Sequence, residues 1–196
     1  MRIAAFDFDG TITTGDSFLG FVKFTRGKAA LCKAALVYAP MLIAFGLKLY
    51  PARKAKQKLF SHFYKGVPLT QFNRWGEAFA GQIARHVRPK AAAAIAAHRK
   101  ANDTVVIVSA SVENWILPWA RAQGIDIVLA TQPETDASGN LTGRFRSPNC
   151  SGQEKVNRLQ QQFPDRLQYE LWAYGDSHGD RAMIEFADRG WYNRFK

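Results

Sequence analysis

Short apolar runs, each ending in a polar cluster, alternate along the chain with stretches of helical periodicity. Ile3 to Phe8 is one such run, and it closes on carboxylates. Thr104 to Ser109 is a second, Asp126 to Thr131 a third, and Leu171 to Gly175 a fourth that leads into Asp176. Apolar runs of this length predict strands buried on both faces, as the strands of parallel sheets are. Between them, Lys90 to Ala101, Val112 to Gln123, Gly152 to Phe163 and His178 to Ala187 predict helices, with Gly124 as the stop of the second. The alternation predicts an α/β fold built on a doubly wound parallel sheet. In such sheets ligands bind beyond the carboxyl ends of the strands, where the polar clusters fall.

Two segments interrupt the alternation. Thr131 to Ser147 carries the turn cluster Asp136-Ala137-Ser138-Gly139-Asn140 between strand-like arms and predicts a hairpin. Residues 16–89 have helical periodicity and no clear strand, which predicts a helical cap inserted after the first strand. Residues 1–15 and 90–196 then form a Rossmann-like core. Trp75 and Phe79 sit at helical spacing and are expected to pack the cap. Gly190-Trp191-Tyr192-Asn193-Arg194-Phe195 is expected to close an edge of the sheet. His62, His86 and His98 have no metal-ligand spacing and are expected at the surface or in the cap.

Composition narrows the class. Of 196 residues 47% are hydrophobic, enough for a folded domain and too many for a disordered tail. Cys32 and Cys150 lie far apart, so each is expected to be a small buried hydrophobe. Their number gives no disulfide framework, and Met1-Arg2 leads straight into Ile3-Ala4-Ala5-Phe6 without the features of a secretory signal; a cytoplasmic location is expected. The net charge of +11 is unevenly spread. Between Asp16 and Lys90 there are 14 Lys or Arg against two acids, Asp16 and Glu77, while the rest carries 13 bases and 14 acids. The whole excess sits in the insertion, which points to an anionic partner there.

The strand ends hold the chemistry. In Asp7-Phe8-Asp9-Gly10-Thr11 two carboxylates at i and i+2 can both face a ligand where Gly10 lets the chain turn. Phosphoryl transfer needs a nucleophile, a proton donor and cations against the phosphate. Asp7 can be the nucleophile, forming an aspartyl-phosphate, and Asp9 the acid and base. Alone, this pair reads more readily as a solvated turn with incidental acids. Ser109 can bind a phosphoryl oxygen, Lys155 in the first turn of a helix can neutralise phosphate, and Asp176 and Asp180 stand at another strand end. An oxygen-rich set of this kind suits Mg²⁺. His178 between the last two aspartates is expected to be a permissive position.

The order Asp7-Phe8-Asp9-Gly10-Thr11, Val108-Ser109-Ala110-Ser111, Gly152-Gln153-Glu154-Lys155, Gly175-Asp176-Ser177-His178-Gly179-Asp180 resembles the haloacid dehalogenase superfamily. The resemblance implies catalysis by Asp7 and Asp9, phosphate binding by Ser109 and Lys155, and Mg²⁺ held by Asp7, the Asp9 carbonyl and Asp176, with Asp180 supporting that shell. An insertion directly after the first motif, and Gly139-Asn140-Leu141-Thr142-Gly143-Arg144, resemble the phosphoserine-phosphatase-like branch. Two positions depart from it: Asp16 stands where phosphoserine phosphatases place a substrate-binding glutamate, and Ala110 where they usually carry glycine.

Within the insertion, Ala34 to Leu47 is 14 residues without a charge, flanked by Lys28 and Lys33 and by Lys48, Arg53, Lys54, Lys56 and Lys58. That is short of the roughly 18–20 residues a bilayer requires, and Pro40 is expected to divide it into two helical pieces. It reads either as a buried cap helix or as an interfacial segment meeting anionic lipids. With Asp16 it resembles the phosphatidylglycerophosphatase C type of the branch, which implies a phospholipid headgroup as substrate at the cytoplasmic face of the membrane. Two other readings stand beside it. One is a soluble phosphatase of small, phosphoserine-like metabolites, and the other a non-catalytic membrane- or nucleic-acid-binding protein. Nucleic acid is not an expected partner, because no recognisable module accompanies the basic segment.

Overall fold

The computed structural model describes residues 1–47 and 49–196, so Lys48 of the basic flank lies outside the described residues. In chain order, β1 (Arg2–Phe6) is followed by helices α1 (Ser17–Val37), α2 (Ala39–Gly46), α3 (Ala52–Tyr64), α4 (Leu69–Ala84) and α5 (Pro89–Lys100). Then come β2 (Thr104–Val112), α6 (Glu113–Ala122), β3 (Ile127–Thr131), and the hairpin of β4 (Pro133–Thr135) and β5 (Leu141–Phe145). The chain closes with α7 (Gln153–Gln162), β6 (Glu170–Gly175), α8 (Arg181–Phe186) and β7 (Arg189–Tyr192).

Five strands form one sheet in the order β3-β2-β1-β6-β7, every neighbouring pair parallel. The chain builds outward from β1 through β2 to β3, then crosses back to place β6 on the other side of β1. That reversal opens the crevice beside the end of β1 where ligands bind in such sheets. Alternation along the strands divides the core. Ala4, Phe6, Val105, Ile107 and Tyr174 pack with Ile95 of α5 and Trp115 of α6. Ile3, Ala5, Val106, Val108, Leu171 and Ala173 pack with Leu159 of α7 and Met183 of α8. The sheet is therefore covered on both faces, as its apolar strands require.

Boundaries moved at one place that matters. β2 runs on to Val112 through a register shift between Ser109 and Val112, so Ser109 sits within the strand and not at its last residue. Gly190 to Tyr192 belong to the edge strand β7, and Trp191 stacks on Tyr174 at 4.8 Å.

Among the described residues, the segment between β1 and α5 is built of helices joined by short connections, and it shares one apolar cluster with the sheet. Phe21 of α1 stacks on Trp115 of α6 at 4.7 Å and meets Phe72 and Phe79 of α4 edge-on at 5.3 Å each. Trp75 is half-buried with the Arg26 guanidinium 5.0 Å from its ring, so both aromatics pack the cap as their spacing predicts. α4 approaches α6 closely enough that a Cβ at Gly76 would lie 2.2 Å from the Asn114 carbonyl oxygen. The β4–β5 hairpin is also tied to the cap. Gly66 donates to Leu141 at 2.7 Å, Leu69 to Gly139 at 2.9 Å, and Leu141 to Val67 at 2.8 Å.

Two expectations fail. His98 is buried in α5 beneath the sheet, not at the surface or in the cap. Its ring nitrogens meet the Asp103 carboxylate at 2.7 Å and the Tyr174 hydroxyl at 2.9 Å, and a fully partnered imidazole is buried at little cost. Cys32 is exposed on α1, whereas Cys150 is buried as expected.

Candidate active site

The site begins where β1 ends. The Asp7 amide donates to the Tyr174 carbonyl at 2.9 Å, the last rung toward β6, and the chain then turns through Phe8 to Ile12. Gly10 makes the turn possible twice over. Its φ is +83°, and a Cβ there would fall 2.4 Å from Asp176 Oδ2. The backbone thus brings the first and last acidic motifs together.

Lys155, from the first turn of α7, is the hub. Its Nζ donates to Asp7 Oδ1, Asp180 Oδ1 and the Val108 carbonyl, each at 2.6 Å, and the side chain is only 1% exposed. All three ammonium hydrogens are used. Burial opposes the charge of Lys155, but Asp7 and Asp180 outweigh it and raise its pKa above the ordinary lysine range. Burial pushes the Asp7 carboxyl up to about 7, with repulsion from Asp180 and Asp9 adding to it and the attraction of Lys155 working against it.

Asp180 is held differently. Its Oδ1 accepts from Lys155, and its Oδ2 accepts from the amides of Asp176 and Ser177 at 3.1 and 2.9 Å and from the Ser177 hydroxyl at 2.8 Å. Four donors fill the acceptor capacity of one carboxylate, so Asp180 orients its neighbours. Burial raises its pKa, but Lys155 and the Ser177 contacts more than offset that and leave it lowered. Asp176 is freer. Its Oδ1 lies 3.4 Å from the Thr11 hydroxyl and its Oδ2 pairs with Lys196 at 3.0 Å. Carboxylate oxygens of Asp7, Asp176 and Asp180 lie within 4.8 Å of one another, an arrangement able to hold a metal ion. Two of the three have acceptor capacity to give, and hard oxygen donors of this kind fit a small divalent cation.

Asp9 stands beside this cluster. Its Oδ1 accepts from the Ser17 amide at 2.7 Å and its Oδ2 from the Ser111 hydroxyl. Burial, then Asp16, raises its pKa. Ser109 is buried, and its hydroxyl oxygen accepts from the Ser111 amide at 3.0 Å. Asp16 caps α1 by accepting from the Leu19 amide at 2.9 Å. The strand-end residues named from the sequence, Asp7, Asp9, Ser109, Lys155, Asp176 and Asp180, therefore surround the carboxyl ends of β1, β2 and β6. His178 is exposed and makes no part of this network.

Four further groups join it. Thr11 donates to Asp7 Oδ2 at 3.1 Å, Ser17 and Ser111 hold Asp9, and Lys56 of the cap donates to the Ala110 carbonyl at 2.7 Å. Burial lowers the Lys56 pKa against the pull of Asp9, Asp16 and Asp7. In sequence Lys56 is one of four closely spaced cations. The signal that separates it is helical phase, because positions 56, 60 and 63 share a face and Phe60 and Phe63 are buried.

Fold, strand-end carboxylates and buried lysine together define a hydrolase of one class. Residues 4–185 match the haloacid dehalogenase-like hydrolase family, and the chain belongs to that family. It is 34% identical over 197 residues to Protein CicA of Caulobacter vibrioides, covering 99% of this chain and 86% of the relative. It is 27% identical over 198 residues to a histidinol-phosphatase of Neisseria meningitidis serogroup C, covering 93% and 86%. A Bordetella pertussis Tohama I protein of unknown function shares the fold with a TM-score of 0.82 at 24% identity, covering 96% of this chain and 88% of that one. An apo phosphoserine phosphatase shares it with a TM-score of 0.63 at 17% identity, covering 98% and 84%. The fold is that of the phosphoserine-phosphatase-like branch.

Proposed function

We propose that the protein is a Mg²⁺-dependent phosphomonoester hydrolase that works through an aspartyl-phosphate on Asp7. The observation that carries this reading is the buried Lys155, joined at 2.6 Å to both Asp7 and Asp180 in the crevice where Asp176 converges. A buried cation that arranges several carboxylates is more than core packing needs, since apolar residues of similar volume would do as well or better.

Asp7 attacks phosphorus, forming the phosphorus–Oδ bond as the ester oxygen departs. Asp9 gives its proton to that oxygen. It then takes a proton from water, whose oxygen attacks the aspartyl-phosphate, releasing inorganic phosphate and restoring the Asp7 carboxylate. Lys155 and Ser109 bind the transferring group, for which Lys155 exchanges one of its present acceptors, and Thr11 and Asp180 keep Asp7 and Lys155 in place. Asp7, the Asp9 carbonyl and Asp176 would hold Mg²⁺, which would supply positive charge against the phosphoryl oxygens.

For the substrate, a phosphorylated phospholipid headgroup such as phosphatidylglycerophosphate, met at the cytoplasmic face of the membrane, has the support of the charge on the cap. One observation favours a second reading: the Neisseria meningitidis relative is a histidinol-phosphatase, which points to a small soluble ester.

The test is Mg²⁺-dependent phosphate release from phosphatidylglycerophosphate in mixed micelles, with phosphoserine, histidinol phosphate and an aryl phosphate in parallel. Asp7→Asn is expected to lower every activity by at least about a thousandfold. Hydrolysis of the soluble esters alone would remove the lipid substrate and leave the mechanism. No hydrolysis of any would remove the enzyme reading and leave a binding protein.

A further inference from the structure

The cap carries an apolar surface that the fold leaves bare. α1 breaks from helical geometry at Gly27 (φ +84°), and at Tyr38 the chain bends by 76° into α2, whose first turn holds Pro40. No described helix alone is long and apolar enough to cross a membrane, although the bent pair together passes on length and composition. Around the bend and after it, Leu36, Val37, Ile43, Phe45, Leu47 and Leu49 all face solvent, and four of them, Leu36, Ile43, Leu47 and Leu49, are 63–78% exposed. α2 buries none of its residues. Single exposed leucines are ordinary on a protein surface, but six contributed by one bend form a patch that water disfavours.

The charge around this patch selects its occupant. From Ser17 to Gly76 the chain has no acidic residue, and Lys28, Lys33, Arg53, Lys54 and Lys58 are exposed around the bend. Among the described residues, none of these cations makes an ion pair. An apolar patch rimmed by unpaired cations matches the lipid–water boundary of an anionic bilayer, acyl chains below and anionic headgroups beside. A second copy of this chain would bring the same positive rim against itself. The patch also lies close to the site in sequence. Only six residues separate Leu49 from Lys56, whose Nζ reaches the Ala110 carbonyl at 2.7 Å.

We infer that the α1–α2 bend is a membrane-docking surface that seats the enzyme on anionic lipid. This deepens the lipid reading above but does not need it, because docking is measured without catalysis. The probe is flotation of the full chain with vesicles of phosphatidylglycerol and phosphatidylcholine, compared with phosphatidylcholine alone, at low and high salt. Binding is expected with the anionic vesicles, weakening as salt rises. Leu36→Glu/Ile43→Glu should lower it about tenfold or more while hydrolysis of a soluble aryl phosphate stays unchanged. Wild-type protein left at the bottom of the gradient would overturn the inference, as would a double variant that floats equally well. A dimer in solution that the double variant dissolves would also overturn it, by giving the patch to a second copy. Vesicle binding with hydrolysis of soluble esters only would keep the docking surface and remove the lipid substrate.

An independent observation concerns Asp9. Trp115 Nε1 is 3.0 Å from Ser17 Oγ, which is 3.1 Å from Ser111 Oγ, which bonds Asp9 Oδ2, and Trp115, Ser17 and Ser111 are all buried. The indole can only donate and the ionised carboxylate can only accept, so the two ends together fix the direction of every hydrogen in the chain. Ser17 must give its single hydrogen to Ser111, and Ser111 must give its own to Asp9. Together with the Ser17 amide on Oδ1, this locks the plane of the carboxylate.

We infer, on the reading of Asp9 as the proton donor, that Ser111 is a positioning residue for it. Ser111→Ala should then cost at least about tenfold more in kcat/KM for an alkyl phosphate, whose leaving oxygen needs the proton, than for an aryl phosphate, whose leaving group does not. Trp115→Phe should give a smaller loss with the same preference. Equal losses on both esters would make Ser111 merely structural. A wild-type protein that hydrolyses neither would instead remove the catalytic reading itself.

Discussion

Two regions of this molecule break the usual rule of burial in opposite directions. At the strand ends, carboxylates and a lysine are buried and nearly saturated with hydrogen bonds. At the α1–α2 bend, large apolar side chains are exposed and, among the described residues, the cations around them are unpaired. Each arrangement is unfavourable in isolation and favourable once something from outside is added, a cation and phosphate in one case and an anionic apolar surface in the other. Departures from the burial rule mark the two places where the chain expects company.

The comparison is broken most severely at Lys155. Lys155→Met keeps the volume but leaves the Asp7 and Asp180 carboxylates without their shared cation. Loss of one partner from a buried ion pair costs about 3–5 kcal/mol, which denaturant unfolding should register, with part of it regained when Mg²⁺ is added. Unchanged stability would mean that the cluster is not under electrostatic tension and that only the bend departs from the rule.

A somewhat smaller effect follows from Asp7. Its carboxyl titrates at about 7 when buried in the metal-free protein and near 3.8 in a solvated chain. The folded state therefore holds a proton that the unfolded state has lost between those values. Stability is fullest below pH 4 for this group and declines as pH rises to about 7, by up to about 4 kcal/mol. Asp7→Asn should flatten that decline and raise the melting temperature of the metal-free protein at pH 8. Added Mg²⁺ should stabilise the wild type more at pH 8 than at pH 6, and the variant little at either. Thermal unfolding across this range, with and without Mg²⁺, is the measurement.

The sequence announced the first region far more clearly than the second. Asp7, Asp9, Asp176 and Asp180 are legible because a polar residue at the end of an apolar strand has few structural uses. What it could not give was their partnership. That Lys155 reaches Asp7, and that Thr11 reaches Asp176, depends on pairings more than a hundred residues apart. Ser111 is hidden because the apolar run predicts a strand ending at Ser109, whereas the longer strand carries the serine two residues on to Asp9. The burial of His98 is illegible in sequence for a related reason, since only the folded sheet brings Asp103 and Tyr174 to its ring. For the bend, apolar composition was legible and exposure was not, because a buried cap helix and an interfacial one share the same pattern.

Lys196 gives a milder test of the same cluster. It pairs with Asp176 at 3.0 Å but is nearly half exposed, so the pair is worth under about 1 kcal/mol. Lys196→Met should raise Mg²⁺ affinity by no more than a few-fold, read by calorimetric titration. A large gain would make that lysine a true competitor for the metal position and would place more of the strand-end tension at Asp176 than at Lys155.

The smallest effect belongs to the bend, and it separates the two regions most cleanly. Ile43 is 63% exposed, so Ile43→Glu removes almost no buried apolar area and adds a carboxylate to a segment surrounded by unpaired cations. Its unfolding free energy in solution should change by no more than about 0.5 kcal/mol, in contrast to the cost at Lys155. A slight gain is the expected direction, because the new carboxylate lowers local repulsion. Destabilisation by 2 kcal/mol or more in urea, about what burial of such a side chain contributes, would show that the patch is packed against the protein in solution. The bend would then be an ordinary piece of core, and only the strand ends would still look outward for a partner.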